Sequence, residues 1–385
     1  MANSNLTNAK RAKNDEFYTQ YGDIEKEVSA YLEYNPNVFR NKIIYCNCDD
    51  PFESNFFRYF VLNFNKLGLK QLITTSYKPS PVANTQLKLQ STCFPGYQDK
   101  VLSGSTNQKG RPKITANVFI INEVADTDGN GEFNLKDIAK QLKANKNNEW
   151  APLQGDGDFR SPECVKLLEK SDIIVTNPPF SLFREYVKQL FDYGKKFVII
   201  GSMNAITYKE IFPLVKDNKM WLGNGFHAGN AYFFTPNVRD FASGVYDEKT
   251  GLVKFRNVCW FTNIDHGRRH QPLPLMTMEE NLKYSKHKEI KGRKTYDKYD
   301  NYDAIEVPFT DAIPSDYKGV MGVPISFLDK YNPDQFEILG SDYNIKEGLF
   351  PELVNAKWKG KIDRGYVNNR RLFTRILIKH KQKLK

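Results

Sequence analysis

Asp172-Ile173-Ile174-Val175-Thr176-Asn177-Pro178-Pro179-Phe180 is the stretch whose residue types can do chemistry. Ile173, Ile174 and Val175 read as a short buried strand. Asn177 stands at its end. Pro178 and Pro179 then remove two backbone donors and fix φ, so neither a ladder nor a helix runs through them. The product is a stiff shelf carrying an amide, carbonyls with no N–H beside them, and the ring of Phe180. Such a shelf suits a planar amino group. The exocyclic amine of adenine is a poor nucleophile because its lone pair is delocalised into the ring. The Asn177 side-chain oxygen and the Pro178 carbonyl can each accept one amine hydrogen. That pushes the nitrogen toward tetrahedral geometry and aims its lone pair at a methyl donor, while Phe180 stacks on the base. A tight strand-to-helix turn with a packed Phe is the plainer reading, and it suits a bare Pro-Pro pair. Asn-Pro-Pro-Phe closing an apolar strand and opening Ser181-Leu182-Phe183-Arg184-Glu185-Tyr186-Val187 favours chemistry.

The elements that must position this shelf read as alternating strands and helices. A helical pattern over Ile24 to Tyr34 stops at Asn35-Pro36. Lys42 to Cys48 is a first strand ending in Asp49-Asp50-Pro51; a helix from Ser54 to Leu67 closes on Gly68, and Leu69 to Ser76 is a second strand. Strand, helix and strand in so short a span make a βαβ unit and imply a parallel sheet. Residues 78–112 are rich in Pro and Gly and read as loop; Val118 to Ile121 reads as a strand. Gly155-Asp156-Gly157-Asp158-Phe159-Arg160-Ser161 is an acidic turn, with Ser161 capping a helix that has Pro162 at its first position. Strands follow at Lys196 to Gly201, Lys219 to Leu222, Ala231 to Phe234 and Val258 to Thr262, with a helix over Tyr208 to Lys216. The alternation predicts a doubly wound α/β domain.

Asp126 to Asn134, with Asp137 at the twelfth place, matches a calcium-loop pattern. An EF-hand needs a helix in front, and a strand precedes this stretch, so an acidic turn-rich loop is the better reading. No metal is expected. The five cysteines (Cys46, Cys48, Cys93, Cys164, Cys259) are scattered, form no CxxC pair, and read as reduced packing thiols.

The chain has 385 residues and a net charge of +11, with a pI near 9.1. A cationic excess of this size suits a polyanionic partner. No apolar run of membrane-spanning length and no signal peptide are found, so the expected location is the cytoplasm, with no membrane partner. The character changes beyond residue 266. Arg268-Arg269-His270 opens a basic stretch, Lys283 to Lys298 is dense in Lys, Arg and Tyr, and the tail carries Arg370, Arg371 and Arg375. Cations interleaved with aromatics suit a surface that meets phosphates and bases; a solvated basic face is the alternative. Arg268, Arg269, Lys294, Arg370 and Arg371 are the candidate DNA contacts.

Several of these stretches together resemble the EcoRI-type adenine-specific DNA modification methyltransferases. The matching segments are Asp15-Glu16-Phe17-Tyr18-Thr19-Gln20, Tyr45 to Pro51, Gly155 to Ser161, Thr176 to Tyr186, Lys298 to Ile305, Gly319 to Ile325 and Arg375 to Lys379. They run in order along nearly the whole chain. The resemblance implies a Rossmann-like, S-adenosylmethionine-dependent methyltransferase core with a basic C-terminal DNA-recognition region. It implies three parts: 1–40 closing the cofactor site, 41–265 the catalytic domain, and 266–385 the target-recognition region. The donor would lie across the carboxyl ends of the first strands. Tyr18, Thr19, Asp49, Asp50, Pro51, Asp158, Phe159 and Asn177 are the implied donor-binding residues, and Asn177, Pro178, Pro179 and Phe180 the catalytic ones. Cys48-Asp49-Asp50-Pro51 stands where many methyltransferases carry a glycine-rich turn, and no acid ends the second strand. The expected activity is N6-methylation of an adenine flipped from double-stranded DNA. The enzyme is expected as a monomer, with a cognate restriction endonuclease as a possible partner. Methylation of an RNA base or a protein amide, or a non-catalytic DNA-binding relative, are the alternatives.

Overall fold

Short runs of Ile, Val, Phe and Tyr with every residue buried mark the strands of a sheet covered on both faces. We describe a computed structural model, and it covers residues 18–48, 54–76, 116–126, 147–226, 230–234 and 244–381. These fall into two compact units: residues up to Met203 with Gly223–Ile264, and Asn204–Leu222 with Asp265 onward.

The first unit contains β1 (Tyr18–Thr19), α1 (Tyr21–Tyr34), β2 (Ile43–Cys46), α2 (Asn55–Leu62), α3 (Phe64–Leu67), β3 (Gln71–Thr75), β4 (Asn117–Ile121), β5 (Glu149–Pro152), α4 (Pro162–Lys170), β6 (Ile173–Thr176), α5 (Phe183–Asp192) and β7 (Lys196–Ser202). After β8 (Trp221–Leu222), which belongs to the second unit, come β9 (Asn230–Phe234), β10 (Tyr246–Asp247), β11 (Leu252–Arg256) and β12 (Val258–Thr262). Its main sheet runs in the order β5-β4-β3-β2-β6-β7-β12. The central pairs β3–β2, β2–β6 and β6–β7 are parallel. The outer pairs β4–β3, β5–β4 and β12–β7 are antiparallel.

Alternate residues along each parallel strand enter different faces of the core. Ile44, Cys46, Ile173, Val175, Val198 and Ile200 join α1, α2 and α3 in one hydrophobic cluster. On the other face Phe183 meets Phe261 with ring centroids 5.0 Å apart, and Phe191 meets Phe197 at 5.7 Å.

The structure departs from the sequence-based expectation in three places. The helix expected from Ser54 to Leu67 breaks at Asn63, whose side-chain amide donates to the Tyr59 carbonyl at 2.9 Å and competes with the helical ladder. The domain expected to be doubly wound has a mixed sheet, because β4 and β12 run against the central strands and β5 pairs antiparallel to β4; Pro152 sits on the edge strand β5, where a missing donor is tolerated. Ala231 to Phe234 leaves that sheet for a second, antiparallel one of order β1-β9-β11-β10. The reason lies in its alternation: Ala231 and Phe233 are buried while Tyr232 and Phe234 are exposed, as in a strand with one wet face.

The second unit is built on a sheet of order β13 (Ile305–Glu306), β14 (Met321–Pro324), β18 (Arg375–His380), β15 (Phe336–Ser341). A hairpin of β16 (Tyr366–Val367) and β17 (Arg370–Arg371) precedes β18. Its core holds a polar network. Arg375 makes a 2.6 Å ion pair with Glu306, which also accepts from the Tyr299 hydroxyl, and the Arg375 N–H donates to Asp342 at 3.2 Å. Asp342 is fully buried. Burial raises its carboxyl to about 6, against the pull of Arg364 and Arg375. The folded carboxyl therefore takes its proton below about 6, the unfolded one only below about 4. Between those values the folded state binds more protons, so Asp342 lowers stability as pH rises through the window. Asp342→Asn removes that decline. Relative to wild type, the variant should gain on the order of 2–3 kcal/mol between pH 4 and pH 6.5 in denaturant titrations. Parallel stability curves for the two proteins would refute it.

Candidate active site

Strand order reverses between β2 and β6: β3 lies outside β2, and β7 outside β6. Ligands of open α/β sheets bind outside the carboxyl ends of the strands at such a point. Asn47 follows β2 and Asn177 follows β6, so both asparagines stand at this edge. The ends of the two strands are tied together through Asn47. The Thr176 hydroxyl donates to the Asn47 carbonyl, and the Tyr186 hydroxyl donates to the Asn47 side-chain oxygen. Asn47 and Tyr186 are both buried.

The proline shelf closes β6. Pro178 is buried, Pro179 exposed, and Asn177 and Phe180 half-buried. The Leu182 N–H donates to the Pro179 carbonyl at 2.9 Å, turning the chain through Phe180–Leu182 into α5. The Phe180 ring packs on the margin of the core.

The Gly155–Arg160 turn is fastened to the same edge from two sides. Gly157 has φ of +80°, and a Cβ there would strike the carbonyl oxygen of Ser76, the residue after β3. From the other side, Phe159 is buried edge-on to Tyr186 with centroids 5.0 Å apart, and its carbonyl accepts from Gln189 of α5 at 3.2 Å. Arg160 bridges Asp158 at 2.7 Å and Glu185 at 2.9 Å. Burial would raise the Asp158 carboxyl, but the hydrogen bonds and charge of Arg160 prevail and hold it below the usual carboxylate range. Asp158 is ionised at neutral pH and ready to accept hydrogen bonds.

Tyr18 and Thr19 form β1 against β9. The Thr19 carbonyl accepts from the Asn55 side chain at 2.7 Å, which sets β1 beside the start of α2, the helix that follows β2. The Thr19 hydroxyl is buried with no hydrogen-bond partner among the described residues. A buried hydroxyl is usually satisfied, and one left open beside a candidate site fits a ligand's polar group. Asp49, Asp50 and Pro51 lie outside the described residues, as does the acidic stretch 127–137. Cys48, just before them, has φ of +66°. The chain thus keeps at Cys48 a left-handed turn after β2 that glycine would adopt freely, and such strain gathers at functional sites.

In the second unit the candidate DNA contacts differ in exposure. Arg370, Arg371 and Lys294 are exposed and Arg268 half-buried. Arg269 is buried: its guanidinium lies 3.6 Å from the Trp221 ring centroid and pairs with Asp265 at 2.9 Å. Asn47, Gly157, Arg160 and Tyr186 took no role in the sequence reading. Gly157 and Arg160 lie inside the quoted acidic turn, in which only Asp158 and Phe159 were expected to touch the donor.

The family model described as adenine-specific methyltransferase EcoRI matches residues 5–381. The chain belongs to this family. It is 40% identical to the type II methyltransferase M.EcoRI of Escherichia coli over 373 residues, 96% of this chain and 98% of the relative. It is 33% identical to the type II methyltransferase M.MpnI of Mycoplasma pneumoniae over 379 residues, 97% of each chain. The type II methyltransferase M.MgeORF184P of Mycoplasma genitalium is also 33% identical, over 384 residues. No solved structure matches the chain. The family match spans both units, so the Asn177 shelf and the Arg370–Arg371 hairpin belong to one family chain. Among the described residues no helix is long and apolar enough to cross a membrane.

Proposed function

We propose that this chain is an S-adenosylmethionine-dependent DNA adenine-N6 methyltransferase that flips its target base out of the duplex. One observation carries the reading: Asn177-Pro178-Pro179-Phe180 ends β6 at the strand-order reversal, next to the tip of β2, with the Asp158-Phe159 turn fastened beside it. The sheet order supports a Rossmann-like donor-binding core.

The donor fits the residues present. Thr19 offers an open buried hydroxyl, Asp158 an ionised carboxylate and Phe159 a buried aromatic ring; Tyr18, Asp49, Asp50, Pro51 and Asn177 complete the expected set. When bound, S-adenosylmethionine supplies a methyl group on a sulfonium, an electrophile that needs no acid assistance.

The chain's own part is positioning. The amine of a paired adenine cannot be reached inside the stack, so the base must leave it. Phe180 stacks on the extruded base. The Asn177 side-chain oxygen and the Pro178 carbonyl each accept one amine hydrogen and turn the lone pair outward. They hold both hydrogens until one departs to solvent. Orientation rather than a strong base provides the acceleration. Duplex DNA is held through Arg268, Lys294, Arg370 and Arg371, with Arg269 packed beneath on Trp221. The enzyme works as a cytoplasmic monomer. The type II class of its relatives favours a restriction endonuclease acting on the same site.

Transfer of radiolabelled methyl from S-adenosylmethionine to duplex DNA, RNA and protein tests the reading. Label recovered as N6-methyladenine in DNA is expected. Label confined to RNA or protein overturns the substrate, and calorimetry showing no donor binding overturns the enzyme.

A further inference from the structure

Phe373 is 87% exposed, more than any other large apolar side chain among the described residues. A lone Phe ring in water normally sits on a flexible tip, but this one is fixed on both sides. Before it, the Leu372 N–H donates to the Gly365 carbonyl at 2.9 Å, and the Leu372 side chain packs on the core of the second unit. After it, Arg375 opens β18 with its guanidinium on Glu306 and its N–H on Asp342, both buried. The hairpin leading to it is closed by Asn368 and Asn369, with φ of +51° and +60°, a tight two-residue turn. The ring is therefore presented on a rigid mount and kept out of the core.

Its setting is cationic. In residues 355–371, Lys357, Lys359, Lys361, Arg364, Arg370 and Arg371 stand against one carboxylate, Asp363. Asp363 pairs with Arg371 at 2.7 Å, while Arg370 is exposed with no ion-pair partner among the described residues. A surface dense in Lys and Arg favours a polyanion over an apolar protein partner. Proteins that deform duplex DNA insert apolar side chains such as Phe between base steps, partly unstacking them, while neighbouring cations hold the phosphates.

We infer that Phe373 is a DNA-intercalating wedge, entering a base step of the bound duplex while Arg370 and Arg371 hold the flanking phosphates. This rests on the DNA reading above, and it adds a residue and a mode of contact to it.

The test uses the full-length protein and a duplex carrying the site that the wild-type enzyme methylates in genomic DNA, with 2-aminopurine placed in turn at each position in and around it. Wild-type methylation of this duplex comes first; its absence overturns the DNA reading and the wedge with it. With an active wild type, Phe373→Ala should weaken duplex binding roughly ten-fold, the scale of a lost base–aromatic stack. It should also abolish the fluorescence rise at one step away from the target adenine. It should leave donor affinity, melting temperature and the salt slope of binding unchanged, and Phe373→Trp should keep both signals. Arg370→Ala should lower the salt slope by about one and keep the fluorescence rise. Phe373→Ala binding within two-fold of wild type, or an unaltered fluorescence pattern, overturns the wedge while leaving the DNA reading intact. A change in oligomeric state with DNA binding preserved assigns the ring to a protein contact and also overturns it.

Discussion

Asn177→Ala should lower single-turnover methyl transfer by on the order of 10²–10³-fold or more, the scale seen when one preorganised polar group at a reacting centre is removed. Donor affinity should stay within a few-fold of wild type, because Asn177 is one of eight residues expected at the donor and the Thr19 hydroxyl and Asp158 carboxylate are untouched. The physical reason is the electronic state of the amine. With two acceptors its hydrogens are drawn out of the ring plane and the lone pair is freed. With the Pro178 carbonyl alone, one hydrogen remains unheld and the nitrogen relaxes to its planar, conjugated form. The change spares the fold, since Asn177 is half-buried at a strand tip while the residues that pack β6, Ile173 to Thr176, are untouched. The Thr176–Asn47 and Tyr186–Asn47 hydrogen bonds that join the two strand ends do not involve the Asn177 side chain. Rapid-quench transfer to duplex DNA, set beside calorimetry with S-adenosylmethionine, separates chemistry from binding. A variant turning over within three-fold of wild type would end the role assigned to Asn177.

What could be read from the chain divides by the range of the interaction. The shelf was legible because its signals are adjacent: an apolar run sets β6, and two prolines stop it at Asn177. The parallel pairing of β2 with β3 was legible because a strand, a capped helix and a strand follow within one short span. The direction of β4 and β5 was not, since a strand's residues do not encode the direction in which it pairs. The sheet that takes β9 was legible in part: Ala231-Tyr232-Phe233-Phe234 mixes buried and exposed aromatics, but only the fold shows which face is wet. Charge was the least legible property. Arg269 and Arg370 look alike in sequence, yet one lies buried on Trp221 and the other faces solvent. Burial of Arg269 depends on Asn218, Trp221 and Asp265, and no local pattern announces that meeting. The Asp342–Arg375–Glu306 network escaped for the same reason, its members lying tens of residues apart. Asn47 sat inside a quoted motif without a role, because the role comes from the Tyr186 hydroxyl, more than a hundred residues away.

Gly157→Ala should weaken S-adenosylmethionine binding at least ten-fold and lower the melting temperature by several degrees. Two costs add. A side chain at φ of +80° is strained, at about 1–2 kcal/mol. The new methyl would also collide with the Ser76 carbonyl oxygen and approach the Ala116 Cβ to 3.0 Å. The carbonyl cannot yield easily, because Ser76 is held by its N–H to Asn117 at 3.0 Å and by its hydroxyl, which accepts from the Asn117 N–H at 2.9 Å. The turn must move instead. Asp158 is the next residue, and its carboxylate and the Phe159 ring are among the groups proposed to hold the donor, so displacement reaches the site directly. Gly194 provides the control. It has φ of +60° with open space where a Cβ would stand, so Gly194→Ala carries the backbone strain without the collision. That variant should melt slightly lower than wild type and bind the donor normally. The contrast makes the prediction specific: strain alone lowers stability, whereas collision with the end of β3 also costs donor affinity. Calorimetry of the two variants showing equal donor affinity would mean that the 155–160 turn does not contact the donor, and Asp158 and Phe159 would lose their assigned place.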